Sequence, residues 1–425
     1  MDRLALGPFP DAFGFETGRR LDDTDPLRDY RQRFVIEDPD LIYLDGNSLG
    51  RMPRVTAEHL VDVIEREWGR DLIESWGERW WRLARDTGAE IASVIGADPD
   101  SVVVADSTSV CLYKLAVGAL RLRPGRNRIV TDAPNFPTDI HVLNAAANSA
   151  GGREVTMVPA GADGYPDENG IVAALDEQVA LLSLSHVAFK SGYLYDLEHL
   201  TAAAHAAGTL VLWDLSHSAG VVPMELGTVD LAVGCTYKYL NGGPGSPAFL
   251  YVNPVLDMEN PLTGWWGHRS PFAFDLTYSP AASIDQFQTG TSPILSLTAI
   301  GPGISILKEA GIDAIRAKSV ALSSYLIDIA DEVLSPHGFD LASPRSSAQR
   351  GSHVSLTHSD AWRVTRAMRD LGRVVPDFRE PDNIRLALAP LYTSFEDVHS
   401  AVHRMANLVA AGAHERYSGH RSPVT

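Results

Sequence analysis

Short apolar runs recur along the chain, each followed by a polar or glycine-bearing turn and then by apolar residues at helical spacing. The stretches "SVVVADSTSVCLYKLAVGAL" (101–120), "RIVTDAPNFPTDIHVLNAAA" (128–147), "VALLSLSHVAFKSG" (179–192) leading into "DLEHLTAAAHAAG", and "TLVLWDLSHSAG" (209–220) all show it. Runs with little polar alternation suit strands covered on both faces, and helices between strands imply parallel pairing. The pattern predicts an α/β protein with a mainly parallel sheet flanked by helices. After about residue 300 the order changes. One helix is expected over 301–334, then strands at "FDLAS", "HVSLTH" and "NIRLALAP", a helix over "DAWRVTRAMRDLG" and a last helix opened by the cap-like "SFED". The expected organisation is an N-terminal segment, 1–30, packing with a small C-terminal α+β domain, 301–425, and a large domain, 31–300, between them. The ending "RYSGHRSPVT" reads as a tail.

Composition narrows the function classes. A net charge of −18 argues against a nucleic-acid backbone or an anionic membrane surface as partner, and no segment is apolar for long enough to span a bilayer. Cys111 and Cys235 are the only cysteines, which gives no disulfide framework and suits the cytoplasm. His399 and His403 lie one helical turn apart without the glutamate of a metalloprotease motif, so a solvated helix face is expected and no metal site.

Parallel sheets bind ligands at the carboxyl ends of their strands, so the residues after each apolar run carry the chemistry. Ser107, Thr108 and Ser109 open a helix after "VVVAD", where hydroxyls and backbone N–H groups can hold a phosphate, although capping alone also explains them. Phe136 and Asp139 follow "RIVTDAPN"; Asp214 and His217 follow "TLVLW"; Tyr237 and Lys238 follow "LAVGCT". A lysine, a carboxylate, an aromatic face and phosphate donors at neighbouring strand ends match the needs of pyridoxal 5'-phosphate. Taken singly, the aspartate reads as a cap and His217 as a structural histidine. Lys238 stands out because the chain holds only five lysines. Lys114, Lys308 and Lys318 fall in helical patterns and are expected to be solvated, and Lys190 lacks the glycine-rich turn that follows Lys238.

The segments "WDLSHSAG" and "DLAVGCTYKYLNGGPGSPAFLYV" resemble the cofactor segment of the kynureninase family, within the aspartate-aminotransferase fold superfamily. "YLDGNSLG" (43–50), "NFPTD" (135–139), "GWWGH" (264–268) and "FQTGTSPILSL" (287–297) are similar to the same family, and the resemblance runs from about residue 40 to "IRLALAPLYTSFEDV". It implies a pyridoxal-phosphate fold of type I and hydrolysis of L-kynurenine, or 3-hydroxykynurenine, to anthranilate, or 3-hydroxyanthranilate, and L-alanine. Lys238 would carry the cofactor and move the Cα proton, Asp214 would pair with the pyridine nitrogen, and Phe136 would stack on the ring. Thr108, Ser109, Tyr237, Trp265 and Thr291 would surround the phosphate. Pro137, Thr138, Asp139, Ser185 and His217 would line the remaining cofactor surface. Trp265 and Thr291 would reach across a homodimer interface, giving shared active sites. Arg385 would grip the substrate carboxylate, a task suited to a planar fork. Trp76 and His268 would contact the aryl ketone, and Tyr237 is by position a candidate acid at Cβ. "DSTSVC" departs from the family in placing Cys111 where relatives carry a polar side chain. The rival readings are another member of the superfamily, such as a cysteine desulfurase or an aminotransferase, and a non-catalytic protein that kept the fold.

Overall fold

The structure is a computed structural model that describes residues 15–420. The chain divides into two compact units. The larger runs over Leu49–Phe189 and Tyr193–Ile312; the smaller combines the chain up to Ser48 with Lys190–Gly192 and the chain from Asp313.

The larger unit is built on seven strands: β1 (Val102–Ala105), β2 (Arg128–Asp132), β3 (Glu154–Val158), β4 (Val179–Ser185), β5 (Leu210–Asp214), β6 (Leu231–Gly234) and β7 (Ala248–Val252). They lie in the order β1-β7-β6-β5-β4-β2-β3, and only β7 pairs antiparallel with its neighbours. The carboxyl ends of β1 to β6 therefore share one edge. All seven residues of β4 are buried, as its unbroken apolar run requires of a strand covered on both faces. The crossovers include α1 (Thr108–Leu122), capped by the Ser107 side chain accepting the Val110 N–H, and α2 (Pro137–Ser149), which Pro137 opens at the position where a missing N–H costs nothing. After β5 the chain makes turns and no helix before β6, against the helical reading of "LSHSAG".

The smaller unit carries a four-stranded antiparallel sheet in the order Asp377–Arg379, Asn383–Ala387, His353–Thr357, Asp340–Leu341. Helices Ala361–Asp370 and Phe395–Ala410 share its core with Leu322, Leu326 and Ile329. Two boundaries fall away from the expected 30 and 300. Ile42–Tyr43 forms a parallel pair with Val374–Val375, which draws the N-terminal chain into this unit as far as Ser48. The helix expected over 301–334 is broken by Gly311 (φ +79°) into Ile300–Ala310 and Ile312–Val333, and the second boundary falls at that break. Asp22 accepts the N–H groups of Phe395 and Glu396, both at 2.9 Å, so the helix Phe15–Asp23 is fastened to the start of the last long helix.

Two lysines expected in solvent are buried. Lys318 pairs with Asp25 at 2.6 Å and Lys114 pairs with Asp106 at 2.5 Å, each on a helix face that tertiary packing covers. Lys308 is partly exposed and pairs with Glu90. His399 is also buried, 4.2 Å between ring centroids from His403, and does not lie on a solvated face. Of the expected tail, 416–425, residues 421–425 lie outside the described residues, and Arg416 closes a short 3-10 turn. Among the described residues no helix is long and apolar enough to cross a membrane.

Candidate active site

The chain leaves β6 through a tight turn that the sequence prepares. The Thr236 hydroxyl donates to the Pro247 carbonyl at 2.6 Å, and the Gly242 N–H donates to the Thr236 carbonyl at 2.8 Å. Gly243 and Gly245 take φ of +87° and +68°, where a β-carbon would be strained although nothing crowds it. Glycine is needed at 50 for a different reason. Its N–H donates to the Tyr237 carbonyl at 2.8 Å, and a β-carbon there would stand 2.2 Å from the Lys238 carbonyl oxygen. The last glycine of "YLDGNSLG" thus clamps the lysine's backbone. Lys238 is half-buried, its Nζ 3.0 Å from His217 Nε2 and 5.9 Å from the Tyr237 ring centroid.

Asp214, at the end of β5, accepts the Ser216 N–H at 2.8 Å and is hydrogen-bonded to the carboxyl group of Asp139 from the first turn of α2. Both are buried. Burial, and then the Asp214 charge beside it, hold the Asp139 pKa well above the usual carboxylate range, while Lys238 pulls it the other way. Two carboxylates can bond only through a proton, so Asp139 is the protonated donor and Asp214 the acceptor. Four of the expected residues, Lys238, His217, Asp214 and Asp139, are thereby brought together.

Beside them, the Ser185 hydroxyl donates to Asn135 Oδ1 at 2.7 Å, Asn135 Nδ2 donates to Thr131 Oγ1 at 3.0 Å, and the Phe136 N–H donates to Asn135 Oδ1 at 2.8 Å. Asn135 escaped the sequence reading, although it opens the quoted "NFPTD". It fixes the Phe136 backbone and leaves that ring 37% exposed, edge-on to Phe189 at 5.2 Å. Pro137 is exposed and Thr138 half-buried in the first turn of α2. The Tyr237 hydroxyl is hydrogen-bonded to the Cys235 thiol, and burial, then the thiol beside it, raise the phenol well above its ordinary pKa.

Thr108 and Ser109 are half-buried in the first turn of α1. A cleft of about 300 Å³ opens nearby, lined by Asp106, Gly245, Gln288, Thr291 and Ser292 among others, and Thr291 is exposed there. Trp76, Trp265 and His268 belong to a second group. Trp76 and Trp265 stand 5.3 and 4.9 Å from Trp266, Trp81 stacks on Trp266 at 4.2 Å, and His268 Nδ1 accepts the Ser270 N–H at 2.9 Å.

In the smaller unit Arg385 is buried and paired with Asp377 at 2.5 Å, its partner across the antiparallel ladder, and donates to Ser48 Oγ at 2.9 Å. Asp377 also pairs with Arg379 at 2.9 Å. Burial, and then the Asp377 charge, push the neighbouring Asp45 carboxyl up to about 6. Asp377 was not legible as a site residue because strand register alone puts it beside Arg385, and Asp45, which lies outside any strand, because only the folded chain brings it near that pair. Lys190, the rival lysine, lies in the smaller unit, where its carbonyl accepts the Ser355 hydroxyl at 2.5 Å.

The mainly parallel seven-stranded sheet with its flanking helices and the separate C-terminal unit is the fold of a type I pyridoxal-phosphate enzyme. The cysteine desulfurase from Thermococcus onnurineus NA1, in its apo form, has the same fold (TM-score 0.76, 19% identity, covering 90% of this chain and 98% of that one). So does a C-DES variant with glycine covalently linked to its PLP cofactor (TM-score 0.75, 17% identity, covering 87% and 97%). In sequence, the chain is 40% identical over 399 residues to the kynureninase of Pseudomonas fluorescens, covering 92% of this chain and 94% of that protein. It is 40% identical over 404 residues to the kynureninase of Burkholderia mallei strain SAVP1, covering 93% and 95%. Residues 315–405 match the family described as the kynureninase C-terminal domain. The chain belongs to the kynureninase family.

Proposed function

We propose that the protein holds pyridoxal 5'-phosphate and hydrolyses L-kynurenine to anthranilate and L-alanine. The observation that carries this is the buried Asp139–Asp214 pair beside a lysine and histidine in contact. One proton serves two carboxyl groups there, so the pair offers a single anionic acceptor, which suits the N–H of a protonated pyridine ring. Thr108 and Ser109 would bind the phosphate, with Tyr237, Trp265 and Thr291. Phe136 would lie on the ring, with Pro137, Thr138, Ser185 and His217 along its remaining surface. The bound cofactor supplies an electron sink that lets a proton leave Cα and the Cβ–Cγ bond break.

The chain's own residues supply the rest. Lys238 takes the Cα proton through its amine, steered by His217. Arg385 holds the α-carboxylate by its fork, and Trp76 and His268 flank the aryl ketone. Water adds to Cγ, the Cβ–Cγ bond breaks, and Cβ takes a proton as anthranilate leaves, which balances the hydrolysis. Tyr237 is by position the candidate for that last transfer, its phenol being protonated at neutral pH.

The desulfurase reading is disfavoured. Cys111 and Cys235 are both buried and burial raises both thiols, the reverse of an exposed, activated nucleophile. Two exposed apolar stretches, Trp68, Leu72 and Ile73 on one and Phe272, Phe274 and Leu276 on the other, support a homodimer in which Trp265 and Thr291 complete the partner's site. The free thiols accord with a cytoplasmic setting.

The test is anthranilate release from L-kynurenine, with 3-hydroxykynurenine run in parallel, on protein loaded with pyridoxal phosphate. A yellow protein that releases neither amine product overturns the reading; sedimentation at micromolar concentration tests the dimer.

A further inference from the structure

Lys114 is the most thoroughly buried cation of the larger unit, with 0% of its surface exposed in the interior of α1. An ammonium so placed is costly to desolvate, and it is compensated by two oxygens. One is the Asp106 carboxylate at 2.5 Å, the other the Phe287 carbonyl at 2.7 Å. Each belongs to a segment that enters the cleft described above. Asp106 lies immediately before the capping Ser107, and Phe287 immediately before Gln288. Asp106 also holds φ at +43°, a conformation that costs a non-glycine residue energy and persists only where its surroundings fix it.

The charge at Asp106 is the second part of the problem. A carboxylate one residue ahead of a helix cap lies where the helix N-terminus would otherwise attract an anion, and left unneutralised it would repel a phosphate dianion. We propose that Lys114 is a positioning residue for the cofactor phosphate: it cancels the Asp106 charge and holds the 106–109 and 287–292 segments in place. This rests on the reading of Thr108 and Ser109 as phosphate ligands. Nothing in it requires Lys114 to touch the cofactor.

Pyridoxal and pyridoxal phosphate differ only in the phosphate, so their binding separates this role from a general structural one. Both are titrated into purified apoprotein by the absorbance of the lysine-bound chromophore. Lys114→Met should weaken pyridoxal phosphate by about tenfold or more and pyridoxal by less than about twofold, the difference being a charge effect. Adding Asp106→Asn should restore much of the loss, because the repelling charge is gone. If Lys114→Met does not fold, Asp106→Asn alone serves: it leaves the ammonium in place and should tighten pyridoxal phosphate several-fold relative to pyridoxal. Equal losses for the two ligands, or an unchanged ratio in Asp106→Asn, overturn the proposal. Failure of the unaltered protein to form the chromophore would instead remove the cofactor reading itself.

Discussion

Lys238 Nζ and His217 Nε2 stand 3.0 Å apart, and His217 follows Asp214 by three residues. The end of β5 and the turn after it therefore deliver both Asp214, proposed above as the acceptor for a ring nitrogen, and a partner for the amine. Lys238→Ala should abolish turnover and the covalent chromophore, while Lys190→Ala keeps both, because it is the Lys238 amine that stands in contact with His217, three residues from Asp214. Borohydride reduction followed by peptide mapping checks this, and a label on Lys190 would reverse the assignment.

The Asp139–Asp214 pair makes an asymmetric prediction. Asp139 already carries the shared proton, so Asp139→Asn still donates to Asp214 and should cost no more than about tenfold in kcat. Asp214→Asn removes the charge that keeps the ring nitrogen protonated and should cost about three orders of magnitude or more. Turnover and melting temperature measured on the same preparations separate loss of chemistry from loss of fold. Equal losses would mean that the proton is not held as described.

The fold was largely legible because long apolar runs such as Val179–Ser185 leave a strand no exposed face, and the strand-end rule then indicates where Asp214 and Lys238 must lie. Partnerships fixed by register or by tertiary burial were not legible. Asp377 meets Arg385 only because two strands pair in one register, and no local pattern announces it. Lys114 and Lys318 sit at helical positions that look solvated until the element covering them is known. Gly311 was passed over inside an apolar helical pattern, although its positive φ ends one helix and lets the next begin.

Arg385 supplies a test in the smaller unit. Its fork is held by Asp377 and Ser48. Lysine keeps the charge but cannot reproduce two parallel N–H bonds, so Arg385→Lys should lower kcat/KM by about 2 to 4 kcal/mol while the cofactor stays bound and coloured. An arginine that served the Asp377 pair alone would change stability and leave kcat/KM untouched. Kinetics for L-kynurenine, with the absorbance spectrum as control, decide between them.

Asp45 gives a pH dependence of stability whose sign follows from its surroundings. It is half-buried near Asp377, Arg385 and Arg379, is hydrogen-bonded to Ser48, and has its pKa raised from 3.8 to about 6, chiefly by loss of solvent. Between those values the folded protein holds a proton that the unfolded chain has released, so stability falls as pH rises through this window. The favourable contribution is present below about 4 and gone above about 6. Asp45→Asn cannot ionise and should escape the loss, gaining about 2 kcal/mol over the unaltered protein at pH 8 and little at pH 4.5, from roughly 1.4 kcal/mol per pKa unit discounted for partial exposure. Asp132, also raised to about 6 by burial, titrates in both proteins, so the difference between their curves isolates Asp45. Urea unfolding of the two proteins at half-unit steps from pH 4.5 to 8 measures that difference. Curves that stay parallel would show that Asp45 ionises normally in the folded state and that the charge around Arg385 is not balanced as the geometry indicates.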